Sequence, residues 1–304
     1  MNKSYDVIII GTGPCGIGAA LKLYEAGVNF AMIEKGAPGG KVNICPRVDN
    51  YPGQTKIPGP DLAFILYQRI LDKNIEVIGD TVISLTKEND IFKIQLENDV
   101  VFAKKVLIAS GTTERKLGLA KEDEFLGHGV SYCAICDGHF FVGKDILVVG
   151  GGNAALKEAI YLSKRVNHLT LIHRRNQFRG LNHLVGELKE NPNVDVLTPY
   201  IPLEILGETK VEGARIKNVE TGEEKELKIE GFFPLVGQIP NTQFVNIEGV
   251  KDEWGSIPVS KSFETNCTGL FAGGDVLPRE VKQIYLSEHD GMVAAKSIIE
   301  SLKQ

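Results

Sequence analysis

The fold is decided near the amino terminus, where residues Asp6–Gly16 read DVIIIGTGPCG. An apolar strand leads there into three glycines with the spacing G-x-G-x-x-G, at Gly11, Gly13 and Gly16. A helical stretch follows, and a second apolar strand over 29–33 ends in Glu34. This order predicts a βαβ unit whose glycines let a pyrophosphate approach the backbone at the helix amino terminus.

Glu34 makes the prediction more specific than the glycines alone. It stands at the end of the second strand, 23 residues after Gly11. A carboxylate at that point of a βαβ unit accepts hydrogen bonds from the ribose hydroxyls of an adenosine. The alternative is a glycine-rich strand-helix turn that binds no ligand.

The same order of elements returns roughly 140 residues later, where Asp145–Ala155 reads DILVVGGGNAA. The turn has the spacing G-x-G-x-x-A, at Gly150, Gly152 and Ala155. Its second strand, over 168–172, ends in basic residues in place of an acid; these are His173, Arg174 and Arg175, with Arg179 nearby. Arginines at this position grip a 2'-phosphate. The second nucleotide is therefore predicted to be NADPH, and the alternative is a solvated basic face.

Further strands and one long helix are expected around these two units. Hairpin-like strands are predicted over 81–84, 91–96, 100–102, 216–219 and 224–229. Shorter strands over 106–109, 235–236 and 270–272 lead into glycines, and the final helix is predicted over 281–302. The sequence thus predicts an α/β protein with two dinucleotide-binding domains, joined by short crossings near 112–114 and 241–244.

The composition excludes several classes of protein. The chain has 304 residues, of which 43% are hydrophobic and 24% charged, so two domains can each bury a core. A net charge of −5 argues against a nucleic-acid partner. No apolar run is long enough to span a membrane, and five cysteines do not form a secreted disulfide framework. We therefore expect a cytoplasmic protein.

A cysteine pair precedes the second βαβ unit, as Cys133 and Cys136 with Asp137 directly after them. Two thiols at this spacing can close as a disulfide and reopen by thiolate attack. A partly buried carboxyl beside them can hold a proton for the leaving thiolate. Three alternatives are a zinc site, two inert buried cysteines and a structural disulfide. Zinc needs about four ligands, and no second Cys-x-x-Cys is present, so no metal is expected.

With the cysteine pair between two nucleotide turns, the chain closely resembles the low-molecular-weight thioredoxin reductases of bacteria. The resemblance runs nearly from end to end. Its motifs are GTGPCG (11–16), PGG (38–40), DNYPG (49–53), ASGT (109–112), GVSYCAICDG (129–138), GGGN (150–153), LIHRR (171–175), VGQIPNT (236–242) and FAGGDV (271–276).

The resemblance implies a fold and a reaction. Two Rossmann-like domains of the three-layer ββα type are expected, the second inserted in the first. The FAD domain would comprise 1–112 and 247–304, and the NADPH domain 113–246. Electrons would pass from NADPH through FAD and the dithiol to thioredoxin, with a homodimer as the working form. Cys136 would lie next to the flavin, Cys133 would attack the thioredoxin disulfide, and Asp137 would donate the proton.

The resemblance also implies which residues contact the cofactors. The expected FAD residues are Gly11, Gly13, Gly16, Glu34, Lys35, Gly40, Lys41, Asn50, Val82, Gly111, Asp275, Val276, Lys282, Gln283 and Ile284. Those expected for NADPH are Gly150, Gly152, Asn153, Ala154, His173, Arg174, Arg175 and Arg179. Several positions depart from the family's usual residues, notably Lys41, Lys282 and the run 286–289.

Two other functions fit the sequence. The first is reduction by another donor, such as ferredoxin, or transfer to another thiol protein; the arginines oppose the donor variant. The second is a non-catalytic redox sensor or metal-binding module that keeps the fold. It predicts no turnover of NADPH.

Overall fold

The computed structural model describes residues 3–45, 47–54 and 56–303. In chain order, the strands within those residues are β1 (Lys3–Ile10), β2 (Phe30–Glu34), β3 (Val77–Gly79), β4 (Val82–Glu88), β5 (Ile91–Leu96), β6 (Val100–Ile108), β7 (Thr112–Glu114), β8 (Asp145–Val149), β9 (His168–Ile172), β10 (Val194–Leu197), β11 (Tyr200–Leu206), β12 (Gly213–Asn218), β13 (Glu224–Lys228), β14 (Gly231–Pro234), β15 (Gln238–Pro240) and β16 (Leu270–Ala272). The helices are α1 (Pro14–Glu25), α2 (Gly59–Leu71), α3 (Ala134–Asp137), α4 (Asn153–Ser163), α5 (Asn182–Glu190) and α6 (Ile284–Ser301). Short 3₁₀ helices cover Gly40–Ile44, Gly138–Phe141 and Gly274–Val276.

The chain forms two compact units, and the second is an insertion in the first. Met1–Thr113 and Ile239–Gln304 make up the first unit, and Glu114–Gln238 the second. We expected 239–246 to belong to the inserted domain, but the structure groups them with the first unit. The reason is a pair of backbone bonds to β4: Leu85 N donates to Phe244 O at 2.7 Å, and Asn246 N donates to Leu85 O at 3.0 Å.

The first unit is built on one sheet in the order β3-β2-β1-β6-β5-β4, with β16 also paired to β6. Strands β3, β2, β1, β6 and β16 are parallel to their neighbours, whereas the β4–β5 and β5–β6 pairs are antiparallel. The carboxyl ends of β1 and β6 therefore lie side by side, with Ile10 paired to Ile108. This is the sheet edge at which ligands bind in such folds.

Alternation along β1 sends successive side chains to two different cores. Val7 and Ile9 pack in a cluster with residues of α1 and α6, such as Leu23 and Ile298. Ile8 and Ile10 pack in the other cluster, which includes residues of the β4–β5 hairpin. Because both faces of β1 are covered, the strand is apolar throughout, as the sequence predicts.

Helices α1 and α6 pack closely because each carries a glycine at the contact. A Cβ on Gly18 would lie 2.4 Å from the backbone oxygen of Glu288. A Cβ on Gly291 would lie 1.9 Å from the backbone oxygen of Cys15. Both distances are shorter than any real carbon–oxygen contact, so only glycine allows this approach. The close packing joins the first glycine turn to the last helix of the chain.

The second unit has its own parallel sheet, in the order β10-β9-β8-β14, and an antiparallel sheet β11-β12-β13. Ile146 and Val148 on β8 pack with Leu156 and Ala159 of α4. Leu147 on the other face packs in a separate cluster with residues of β11 and β12. The prediction of an α/β protein with two parallel sheets is confirmed.

Two predicted elements lie elsewhere. The strand expected over 235–236 ends earlier, as β14 at Pro234, because pairing with β8 ends at Val149. The final helix begins at Ile284 rather than at 281, with Gln283 extended at its amino end. Among the helices of the residues described here, none has both the length and the apolar content needed to cross a membrane.

Candidate active site

The first glycine turn joins β1 to α1, and its three glycines have different surroundings. Gly11 has φ +107°, and a Cβ there would lie 2.4 Å from the Ala109 backbone oxygen. A Cβ on Gly16 would lie 2.0 Å from the Gly11 oxygen. Around Gly13, the described residues other than its two chain neighbours have no atom within 4 Å of where a Cβ would be. Two glycines therefore close the turn, and the third leaves its backbone open to a ligand.

Glu34 lies at the end of β2 and holds this turn in place. Its Oε2 accepts hydrogen bonds from Thr12 N at 2.9 Å and Thr12 Oγ1 at 2.7 Å. Its Oε1 accepts from Gly36 N at 2.9 Å. A carboxylate has about four acceptor sites, so one remains for a ribose hydroxyl. Sequence reasoning missed the role of Thr12, although it lies inside the glycine motif.

Other segments of the first unit converge on the turn. A Cβ on Gly40 would lie 3.6 Å from Gly13 Cα. The next residue, Lys41, donates from Nζ to Thr112 Oγ1 at 3.2 Å, and the same Nζ lies 3.7 Å from Asp275 Oδ2. Lys41, Thr112 and Asp275, which are far apart in sequence, thus lie close together just after the ends of β6 and β16.

A second contact links the DNYPG loop to the last helix. Asn50 Nδ2 donates to Gln283 Oε1 at 2.7 Å, across 233 residues of sequence. Near it, Glu288 of α6 accepts from the Tyr51 hydroxyl at 2.6 Å and from Arg69 Nη1 at 2.7 Å. Burial and the Glu288 carboxylate raise the pKa of Tyr51 to about 12. Glu288 belongs to the run that departs from the family pattern, and its charge is compensated by Arg69.

The remaining predicted FAD residues vary in exposure. Lys35 is exposed, Val276 is buried, and the partly buried ones are Gly111, Lys282 and Ile284. Val82 instead packs against the core beside Leu85. Cys15, at the start of α1, is buried, and burial raises the pKa of its thiol. This fits the prediction that Cys15 has a packing role.

The second glycine turn joins β8 to α4 and repeats the geometry of the first. A Cβ on Gly150 would lie 2.4 Å from the Leu235 oxygen. Apart from the two chain neighbours of Gly152, the part of the chain that the structure describes has no atom within 4 Å of the Cβ position there. Gly151 lies under the imidazole of His173, whose Nδ1 would be 2.4 Å from an added Cβ. Here too the middle of the turn is open.

The segment after β9 folds back onto this turn and carries Arg179 with it. Arg179 N and Gly180 N both donate to Gly151 O, at 2.9 and 3.0 Å. Leu181 N donates to Asn153 Oδ1 at 2.9 Å. Arg174, Arg175 and Arg179 are all exposed, as is Ala154. A basic surface therefore lies beside an open phosphate-binding turn.

His173 differs from the arginines that follow it because it is buried. Its ring stacks on Phe178, with the centroids 5.1 Å apart. Burial and the positive charge of Arg179 lower the pKa of His173, so the imidazole is neutral at pH 7. Its place in the structure is that of a support beneath the loop.

The cysteine pair lies at the amino end of α3 and forms a disulfide, with the Cα atoms of Cys133 and Cys136 5.3 Å apart. Cys133 precedes the helix, and its Sγ accepts a hydrogen bond from Cys136 N at 3.1 Å. Both cysteines are partly exposed, whereas Ala134 between them is buried. The prediction of a pair that closes as a disulfide is confirmed.

Asp137 is buried directly after the pair. Its Oδ2 accepts from the Ser131 hydroxyl at 2.6 Å. Its Oδ1 has no hydrogen-bond partner among the described residues. Burial raises the pKa of Asp137, against the opposing effect of the Ser131 bond. A buried carboxyl with an open oxygen is suited to hold a proton.

Ser131 and Glu158 are functional candidates that sequence reasoning missed. Ser131 Oγ accepts from Cys133 N at 3.1 Å, and Glu158 Oε2 accepts from Ala134 N at 2.8 Å. Ser131 lies in a motif that could have pointed to it. Glu158 lies 24 residues from Ala134 on α4, and nothing in its local pattern marks it.

Within residues 3–45, 47–54 and 56–303, no three or more His, Cys, Asp or Glu side chains come together in a group that could hold a metal ion.

Comparison with known proteins identifies the family. The family model described as pyridine nucleotide-disulphide oxidoreductase matches residues 5–291. The thioredoxin reductase of Mycoplasma pneumoniae is 40% identical over 97% of this chain and 94% of its own. That of Bacillus subtilis is 36% identical over 97% of this chain and 94% of its own.

A solved structure agrees with these relatives. The crystal structure of thioredoxin reductase from Streptococcus pyogenes is 38% identical, with a TM-score of 0.93 over 100% of this chain and 99% of that one. The predicted fold of two Rossmann-like domains is thereby confirmed, as is the predicted resemblance. The chain belongs to the pyridine nucleotide-disulphide oxidoreductase family, and the relatives that it resembles over nearly its whole length are thioredoxin reductases.

Proposed function

We propose that this chain is a thioredoxin-disulfide reductase that takes electrons from NADPH, with FAD and the Cys133–Cys136 dithiol as carriers. One observation carries the proposal: a disulfide beside a buried carboxyl, in a unit that also has an open glycine turn flanked by exposed arginines. The full-length relatives named thioredoxin reductase support the choice of thioredoxin as the acceptor.

FAD fits the first unit. The open backbone at Gly13 would accept the pyrophosphate, and Glu34 has one acceptor site left for a ribose hydroxyl. Gly40 approaches Gly13, and Lys41, the next residue, has its Nζ 3.7 Å from Asp275 Oδ2, so these residues could hold the rest of the molecule. When bound, FAD would take a hydride from NADPH and pass two electrons to the disulfide.

NADPH fits the second unit. Its pyrophosphate would lie on the open turn at Gly152 and the amino end of α4. The exposed guanidinium groups of Arg174, Arg175 and Arg179 would bind the 2'-phosphate, for which their planar donors are suited. Because NADH lacks that phosphate, we infer a preference for NADPH.

The chain's own residues then carry the thiol chemistry. Reduction breaks the bond between Cys133 and Cys136, and the two sulfurs take up two protons for the two electrons. Asp137, whose pKa is raised by burial, would supply one of these protons. The Cys133 thiolate attacks the thioredoxin disulfide. Cys136 then displaces reduced thioredoxin and restores the starting disulfide.

A homodimer is part of the proposal, and an exposed apolar face of the first unit supports it. On α2, Phe64, Ile65 and Leu71 are 63%, 41% and 44% exposed. Phe64 and Leu71 are seven residues apart and therefore lie on the same side of the helix, whereas Ile65 lies about 100° around it. Exposed apolar side chains grouped in this way form a patch that often marks an interface. A second copy of the chain would cover it. Replacing Phe64 by Glu should shift the mass measured by light scattering toward the monomer.

The proposed setting is a reducing cytoplasm. A dithiol that must cycle needs surroundings that do not trap it as a disulfide.

The decisive experiment is titration of the purified flavoprotein with NADPH, followed by addition of oxidised thioredoxin. NADPH should bleach the flavin absorbance much faster than NADH, and thioredoxin should restore it. If reduced ferredoxin bleaches the flavin and NADPH does not, then ferredoxin and not NADPH is the electron donor. If NADPH bleaches the flavin but thioredoxin does not reoxidise it, then another thiol protein is the acceptor.

A further inference from the structure

Glu158 is a partly buried residue whose carboxylate bonds the segment that carries Cys133 and Cys136, here called the redox loop. The proposed reaction gives it no role. It lies on α4, and its Oε2 accepts the backbone N–H of Ala134 at 2.8 Å. That N–H belongs to the peptide bond joining Cys133 to Ala134, the first residue of α3. A negative charge can therefore reside one peptide unit from the cysteine that is proposed to attack the substrate.

We propose that Glu158 is a positioning residue that sets how readily the Cys133–Cys136 disulfide is reduced. It fixes the amino end of α3, and its charge opposes a thiolate on Cys133. The proposal rests on the proposed function, because it concerns the same cysteine pair. It adds an influence on the redox equilibrium of Cys133 and Cys136 that involves neither the flavin nor NADPH.

The geometry of the loop explains why one carboxylate matters there. Thiolates at the start of a helix are normally stabilised by backbone N–H groups. In this loop Cys136 N donates to Cys133 Sγ at 3.1 Å, whereas Ala134 N donates to Glu158. One donor is thus directed away from the sulfur, and a like charge is added beside it. Both effects favour the disulfide over a thiolate.

Glu158 can also lose that charge. Burial, with a smaller contribution from the negative charge of Glu114, raises its pKa to about 7. Other titratable side chains of the described residues near Cys133 and Cys136 include Asp137, His139, Tyr132 and Tyr161, and the charge of His139 acts on Asp137. A thiolate forming on Cys133 would favour protonation of Glu158, because the two charges repel. The loop can therefore take up a proton away from the sulfurs.

The test compares wild type with Glu158→Gln, which keeps the size of the side chain and an oxygen for Ala134 N. The flavin-loaded proteins are equilibrated with mixtures of reduced and oxidised glutathione at pH 7.5, trapped with iodoacetamide and counted for thiols by mass spectrometry. We expect the equilibrium of the variant to shift about tenfold toward the dithiol, which is about 30 mV for two electrons. Iodoacetamide should also react faster with its reduced form at pH 8.0, where the Glu158 carboxyl of the wild type is ionised.

Two further variants separate charge from other effects. Glu190→Gln removes an exposed carboxylate from α5 in the same unit, and it should leave the equilibrium unchanged. Glu158→Asp retains the charge on a shorter side chain, and it should lie closer to wild type than Glu158→Gln does. An unchanged equilibrium in Glu158→Gln, or an Asp variant that matches the Gln variant, would overturn the proposal.

Failure of the proposed function would look different. Glutathione reaches the disulfide without NADPH, so the shift in Glu158→Gln is measurable even if NADPH reduces nothing. If Glu158→Gln does not fold, the wild-type protein still provides a measurement. Its alkylation rate should rise in two steps between pH 5 and 9, and Asp137→Asn should retain both steps. If the alkylation rate of both proteins rises in a single step, the ionisation of Glu158 is not coupled to that of the Cys133 thiol.

Discussion

The hydroxyl of Ser131 lies 2.6 Å from Oδ2 of Asp137, and both side chains are buried. Ser131 has one proton to donate. The contact to Asp137 is much shorter than the 3.3 Å to the Cys133 oxygen, so the proton is directed to the carboxyl. The same Oγ accepts the Cys133 amide at 3.1 Å. Ser131 therefore couples the backbone of the attacking cysteine to the side chain proposed as proton donor.

Asp137→Asn tests the proton donor. The amide fills the same space but cannot supply a proton, so turnover with thioredoxin should fall about 100-fold or more. Reduction of the flavin by NADPH should stay close to wild type, because Asp137 has no part in that step. Stopped-flow measurement of the two half-reactions checks this. Wild-type turnover in the variant would remove Asp137 from the mechanism.

The same variant has a predicted effect on stability, with a defined sign. Burial raises the pKa of Asp137 in the folded state above its ordinary value of 3.8. Folding then becomes less favourable as the pH rises from 3.8 through the folded pKa, because ionising the buried group costs free energy. Asp137→Asn removes that cost. It should be more stable than wild type in urea unfolding at pH 7.5, with the difference gone near pH 3.5.

Replacing the two cysteines one at a time should give different proteins. In Cys136→Ser, the remaining Cys133 can still attack thioredoxin, but nothing releases the mixed disulfide. A covalent complex with thioredoxin should therefore accumulate and be seen by mass spectrometry. In Cys133→Ser no such complex should form. Both variants should keep NADPH-dependent bleaching of the flavin, and retained multiple turnover in either would refute the dithiol.

Arg174 and Arg175 carry the preference for NADPH in the proposed function. Each charge-assisted bond to the 2'-phosphate contributes about 1.5–3 kcal/mol, so each alanine substitution should raise KM for NADPH about 10- to 100-fold. KM for NADH should change little. Arg215→Ala is the control, because Arg215 is an exposed arginine of the same unit and donates to Glu204 Oε2 on the neighbouring strand at 2.6 Å. An unchanged ratio of the two KM values would assign the arginines to a solvated surface.

Much of the fold follows from local pattern, because strands covered on both faces and glycine turns leave marks in short windows of sequence. The turns at Gly11 and Gly150 are predicted for that reason. The ends of β14 and α6 are not, since they depend on where pairing with β8 stops and where the chain reaches Gln283. The apolar residues 235–236 are predicted as a strand because the sequence does not show where the pairing of β14 with β8 ends.

The candidate site divides in the same way. Cys133, Cys136 and Asp137 lie within five residues of sequence, and their spacing together with their position between the two glycine turns predicts redox chemistry. Glu158 meets Ala134 across 24 residues, and Lys41 meets Thr112 across 71. Such contacts exist only once the sheets are assembled, and no periodicity records them. The positioning residues of a site are for this reason harder to predict than its reactive ones.

Thr12 and Glu34 offer a last prediction, on the first glycine turn. Thr12→Val keeps the shape of the side chain and removes the hydroxyl that donates to Glu34 at 2.7 Å. The hydrogen bond joins a buried hydroxyl to a carboxylate, so its loss should destabilise the protein by about 1.5–3 kcal/mol. FAD should also dissociate faster, because the turn that would hold its pyrophosphate loses a support.

Urea unfolding and the release of flavin fluorescence measure the two effects. Thr209→Val, in an exposed loop of the second unit, is the control and should change neither. A double-mutant cycle with Glu34→Gln isolates the interaction of the pair, because substitutions at two residues in contact should have non-additive effects on the free energy of unfolding. If the effects of the two substitutions are additive, the hydrogen bond does not stabilise the turn. A coupling of about 1 kcal/mol or more, with flavin release accelerated in both single variants, would establish that Glu34 supports the turn in addition to its proposed role as an acceptor for the ribose.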